Sequence, residues 1–179
     1  MKEVDPDRNL KMYIDTFHRM GGALDYAFLE ADADYSSDVL HKQAAIEGMQ
    51  IIDGANSTCD LSKIQGSSIS YQTFLGTVEV QPVRISQTAG SIPNVDGYKT
   101  AFFHPPYGLR ETLPFASNLF VQINNFLFGS DPDMSEIFSW STDWSNYFDA
   151  GREWWGAFYW TIRQPNSRQF VVIGASTTD

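Results

Sequence analysis

The sequence predicts an α+β domain, with an antiparallel sheet drawn mainly from the C-terminal third and amphipathic helices near residues 6–20 and 112–128 covering it. Three observations predict it. Apolar residues recur at three- and four-residue spacing in those two segments, and alternation with a period near two replaces it towards the C-terminus. The third is that 42% hydrophobic residues in a chain of 179, with no internal repeat or linker, suffice for one core, so residues 1–179 are expected to form a single domain.

The first helix is signalled by Asp5 as a cap, Pro6 at the first helical position, and a stripe of Leu10, Tyr13, Ile14 and Phe17 that ends at Gly21-Gly22. Two aromatics and a break at each end mark residues 23–30 as a strand. Ser36 or Ser37 then caps a helix running to Ile52, interrupted only by Gly48. Alternation of Ile69, Tyr71, Thr73 and Leu75, followed by Val78 and Val80 around Glu79, reads as extended chain over residues 68–86. Its expected partner is a strand over 98–104 that Pro105-Pro106 ends, giving a central hairpin. The clearest helix carries Leu113, Ala116, Leu119, Phe120, Ile123, Phe126 and Leu127 on one stripe and stops at Gly129. Strands are expected at 137–141, 153–163 and 169–175, with a turn at Gln164-Pro165-Asn166-Ser167. Phe170 to Ile173 is apolar on both faces, so the last strand belongs inside the sheet, and Leu119, Phe120, Ile123, Trp160, Val172 and Ile173 should be almost inaccessible.

Charge narrows the functional classes. Twelve Lys and Arg against 22 Asp and Glu give a net charge of -10, which repels nucleic-acid phosphate and anionic lipid. Twelve of the acids fall within residues 1–60 against five bases, and Asp25, Glu30, Asp32, Asp34 and Asp38 follow one another with no Lys or Arg between them. Cys59 is the single cysteine, so there is no internal disulfide; with no apolar signal at the start of the chain, a cytoplasmic setting is the plain expectation.

Motifs for familiar chemistries are missing. There is no phosphate loop, no Gly-x-Gly-x-x-Gly fingerprint, and none of His18, His41 or His104 sits in a His-Glu-x-x-His helix. The runs from Asp32 and Asp131 start like calcium loops, but their sixth and twelfth positions lack the turn glycine and the bidentate glutamate. No catalytic residue, metal ligand or cofactor is therefore assigned. Cys59 has an acid beside it and no base, and Asn56-Ser57-Thr58 is read as an accidental glycosylation sequon.

All five tryptophans lie in residues 140–160, where Asp143, Trp144, Asp149, Glu153 and Trp155 combine carboxylates with large rings. As a strand, 153–162 sets Trp154, Phe158, Trp160 and Ile162 on one face and Glu153, Trp155, Ala157, Tyr159 and Thr161 on the other. The first face is expected under the 112–128 helix; the second is expected to pack as a second layer, with a partly exposed site around Glu153, Trp155 and Tyr159 as the alternative. Strong acidity with exposed aromatics suits a binding protein. The leading expectation is an acidic protein that neutralises a basic partner, as an immunity protein does a bacterial toxin of nuclease type. Its interface is sought among Asp25, Glu30, Asp32, Asp34, Asp38 and the 143–155 set. The runner-up is an enzyme or ligand-binding domain for an uncharged or sugar-like molecule near Trp144, Asp149, Glu153 and His104; a third possibility is a structural subunit.

Overall fold

The computed structural model describes residues 1–32, 35–54, 57–76 and 96–176. Along the chain it forms β1 (Lys2–Glu3), α1 (Arg8–Arg19), β2 (Leu24–Glu30), α2 (Ser37–Asp53), β3 (Gly66–Ile69), α3 (Tyr71–Leu75), α4 (Tyr98–Phe103), α5 (Leu113–Phe128), β4 (Glu136–Trp140), α6 (Asp149–Trp154), β5 (Phe158–Arg163) and β6 (Gln169–Ala175). The strands make one antiparallel sheet in the order β1-β2-β6-β5-β4-β3, so the fold is α+β as expected.

Strand β6 lies between β2 and β5, and its two faces enter two separate cores. Ile173 and Ala175 pack beneath α1, α4 and α5 with Phe17, Phe102, Ile123 and Trp160, while Phe170 and Val172 pack beneath α2 with Leu40, Ala44 and Met49. This double cover is why the strand is apolar at consecutive positions. Asn166, at φ 57, turns β5 back into β6. Of the six residues expected to be inaccessible, five are buried and Phe120 is partly buried, edge-on to Phe102 and tilted against Phe103 of α4.

Gly48 has a packing role. A Cβ there would lie 2.6 Å from the Val172 side chain, so the glycine lets α2 settle directly on β6. Helix α1 is capped by Asp7 rather than Asp5, its carboxylate accepting from the amides of Asn9 and Leu10 at 2.7 and 3.4 Å.

Three expectations are corrected. The 98–104 strand is helix α4, and the start of the 68–86 segment is the short strand β3 followed by helix α3; residues 77–95 lie outside the described residues. A short apolar run carries no decisive period, and local chemistry chose the helices. The Ser70 hydroxyl accepts from the Thr73 amide at 3.1 Å, and the Thr100 hydroxyl donates to Asp96 at 3.0 Å. Stacking of Phe74 on Tyr98, with centroids 4.6 Å apart, then joins α3 to α4. The edge strand β3 pairs with β4 instead. Third, the 153–163 strand begins only at Phe158, because α6 and Gly156 at φ 151 break the extended chain before it.

Candidate functional site

Between α2 and the sheet lies a polar network. Trp140 Nε1 donates to Thr161 Oγ1 at 3.0 Å, and the Thr161 hydroxyl is 2.7 Å from His41 Nδ1. With the indole as donor, the hydroxyl proton goes to Nδ1, which leaves the imidazole proton on Nε2, 3.4 Å from Glu136 Oε2. Glu136 also accepts a bidentate pair from Arg163 and a hydrogen bond from Ser37. His41 is fully buried, stacked on Phe138 and edge-on to Phe170. Burial pushes its pKa from 6.5 down to about 4 although Glu136 pulls the other way. Burial would raise Glu136, but its bonds from Arg163 and Ser37 outweigh that and hold it below the usual range.

These shifts fix a pH dependence. Between about pH 6.5 and 4 the unfolded chain binds a proton at His41 that the folded chain refuses, so stability falls as pH falls, by roughly 3 kcal/mol over the window. Glu136 adds further loss below its ordinary range, while Asp25, raised by burial, opposes it. Urea unfolding at pH 7 and 4.5 should show a slope that His41→Gln flattens; an equal slope in both proteins would exclude His41 as its source.

The run of five acids is divided by the fold. Strand β2 carries Asp25 near one end of the sheet and Glu30 at the other, about 17 Å apart at roughly 3.3 Å per residue. Glu30, Asp32 and Asp38 are exposed beside exposed Tyr35 and Val39; Asp34 lies outside the described residues. Cations are interleaved with them. The α-amino group of Met1 lies 3.2 Å from Asp32, Lys2 stands opposite Glu30, Lys42 follows Asp38 on α2, and Arg168 donates to the Ala31 carbonyl at 2.7 and 3.0 Å.

At the other end, a cleft of about 610 Å³ opens between the α1–β2 turn, the C-terminal end of α2, the 106–107 loop and the 146–150 segment. Asp25, Asp53, Tyr107, Asn146, Tyr147 and Ser176 line it, with no Lys or Arg among its lining residues. Tyr147 donates to Asp25 Oδ2 at 2.7 Å, and Ser57 donates to Asp53 Oδ2 at 2.6 Å. Burial raises the Asp25 carboxyl, with the Asp53 charge adding to it, while the Tyr147 bond and His18 counteract. Burial and the Asp25 charge push the Tyr147 phenol well above its ordinary value. Gly174 makes room for Tyr147, since a Cβ there would lie 2.9 Å from its hydroxyl.

The 143–155 segment is thus brought to Asp25, but not by the residues its sequence suggested. Trp144 and Trp155 are core residues, 1% and 5% exposed: Trp144 packs with Phe148 and Tyr159, and Trp155 Nε1 donates to the His104 carbonyl at 2.8 Å. Neither ring is presented at the surface. The β5 face that held Tyr159 and Thr161 is likewise covered by α2, Tyr159 donating to the Ala45 carbonyl at 2.8 Å. Asp143, Asp149 and Glu153 are exposed, with Asp149 paired to Arg152. His104 is half-buried, and burial lowers its pKa. Cys59 is partly buried where residues 58–60 bond to 144–146. Asp53, Tyr107 and Tyr147 were missed. Asp53 closes a helix, and Tyr147 finds Asp25 across 122 positions, so neither carries a local signal.

Fold and site together define an acidic α+β fold with a cleft at one end of its sheet that has no Lys or Arg among its lining residues. No family model, curated protein or solved structure matches the chain. Among the described residues, no helix is long and apolar enough to cross a membrane, and no three His, Cys, Asp or Glu residues are grouped to hold a metal ion.

Proposed function

We propose that this protein is a cytoplasmic inhibitor that neutralises a basic protein, in the manner of an immunity protein bound to a bacterial toxin of nuclease type, and that the cleft end of the sheet is its interface. One observation carries the choice of face: the cleft joins Asp25 and Asp53 to Tyr107, 68% exposed, with no Lys or Arg among its lining residues, whereas the Glu30–Asp38 face has cations interleaved. Carboxylates with no Lys or Arg beside them in the cleft lining steer a basic partner, and an exposed ring supplies an anchor. An enzyme that grips phosphate offers the complementary positive surface.

A photo-crosslinking residue at position 107 should capture a basic polypeptide, whose purified activity wild-type protein then suppresses at equimolar ratio. The paired change Asp25→Asn and Asp53→Asn should slow association about threefold or more at low salt, with the difference fading as salt rises. Asp32→Asn with Asp38→Asn should leave the rate within about twofold, because those charges already have cations nearby. The reverse ranking would move the interface to the 30–39 face; a partner that is not basic, or full suppression after both pairs are changed, would overturn the proposal.

A second reading, a site for a small uncharged or sugar-like molecule, is favoured by the cleft's size and by its contribution from Tyr147 and Ala150 of the aromatic segment. Saturable binding of neutral sugars with no effect of the Asp53 change would favour it.

A further inference from the structure

We propose that the cleft is built to receive a guanidinium group, supplied by an arginine side chain of the basic partner. This rests on the reading above and names the chemistry of the same site.

Four features converge. Each carboxylate has one oxygen already engaged, Asp25 Oδ2 by Tyr147 and Asp53 Oδ2 by Ser57, so each keeps its Oδ1 with no hydrogen bond among the described residues. The two approach from different elements, β2 and the end of α2, and a planar fork of five N–H donors can answer both at once. Helix α2 is 17 residues long and has no basic residue in its last turn, and its terminal residues Ile52 and Asp53 line the cleft. The negative end of its dipole therefore adds to the carboxylates with no cation of the helix's own to offset it. Asp25 is the third feature: its carboxyl is raised chiefly by burial, so an incoming cation would restore attraction that water no longer supplies. The fourth is the exposed Tyr107 ring at the rim, a face on which guanidinium stacks. An ammonium group is compact and strongly hydrated, and gains less from a stacked, divided set of acceptors.

The test uses the whole chain, labelled with nitrogen-15, and three probes: Nα-acetyl-arginine methylamide, agmatine, and the neutral isostere Nα-acetyl-citrulline methylamide. The arginine probe should shift the amides of Gly21, Gly22, Tyr147, Ala150 and Ser176 saturably, with citrulline silent. Asp53→Asn should weaken the arginine probe about 10-fold or more, as loss of a charge-assisted bond implies, while Tyr35→Ala on the far face leaves it unchanged. Asp53→Asn keeps an acceptor for Ser57, and its amide spectrum reports that the fold persists. Agmatine binding more tightly than the arginine probe would identify a free guanidino compound as the occupant and overturn the side-chain assignment. Equal binding of citrulline, or no saturable shift up to about 10 mM arginine probe, would overturn the guanidinium site altogether. Partner binding that survives the cleft changes while the arginine probe still binds would instead remove the proposed interface and leave this site standing.

Discussion

Trp160→Ala should cost about 3–5 kcal/mol of folding stability through lost burial and the cavity left behind. The ring is 3% exposed and meets Phe74 edge-on at 5.3 Å, Phe158 in a stack at 5.2 Å and Tyr98 at 6.3 Å. It thereby fastens β5 to α3 and α4. Those two helices are short, at five and six residues, too short to be stable alone, and depend on such contacts. Truncation removes the ring's buried area and leaves a cavity that neighbouring rings cannot close without leaving their own packing. Against a typical total of roughly 5–15 kcal/mol, the variant should be recovered mainly unfolded or with a melting temperature lowered by many degrees. Trp160→Phe, which keeps part of the contact, should fall between. A Trp160→Ala protein within about 1 kcal/mol of wild type in urea unfolding would show that this core does not hold α3 and α4.

Thr161→Val should cost roughly 2–6 kcal/mol although it alters shape very little, because it orphans two buried groups at about 1–3 kcal/mol each. Trp140 Nε1 loses its acceptor at 3.0 Å and His41 Nδ1 its partner at 2.7 Å, in a site where Trp140 is 7% and His41 0% exposed. Thr161→Ser keeps the hydroxyl and loses only a methyl group, so it should cost about 1 kcal/mol. Equal losses for Val and Ser would mean that packing, not hydrogen bonding, is what Thr161 supplies. The network also bears on function, since Ser37, His41, Glu136 and Arg163 tie the start of α2 to β4 and β5 while its far end shapes the cleft.

Where a pattern was long and periodic, it was readable without the fold. The stripes of α1 and α5, the doubly apolar β6 and the turn at Asn166 are local consequences of residue type and spacing, and the structure has each of them. Residues 98–103 show the limit: Tyr-Lys-Thr-Ala-Phe-Phe is apolar enough for either a strand or a helix, and the structure has it as a helix with Thr100 bonded to Asp96 and Tyr98 stacked on Phe74. Likewise Trp144 and Trp155 looked like surface anchors only because a sequence does not say which face of an element will be covered. α2 and the α4–α5 layer cover them.

The candidate site lay further still from what spacing can express. Composition determined that the protein is acidic and aromatic, hence the class of partner proposed, because charge adds along a chain irrespective of its path. Which carboxylates act together depends on the path. β2 runs Asp25 and Glu30 to opposite ends of the sheet, α2 returns Asp53 to the first of them, and Tyr147 arrives from 122 residues away. Periodicity and capping act within a turn or two of chain, so residue type alone determined α1, α2, α5, the central strand and the sign of the charge. Electrostatic partnership acts through space, so only the tertiary structure decided that one group of acids would sit among cations while the other would share a cleft that no Lys or Arg lines.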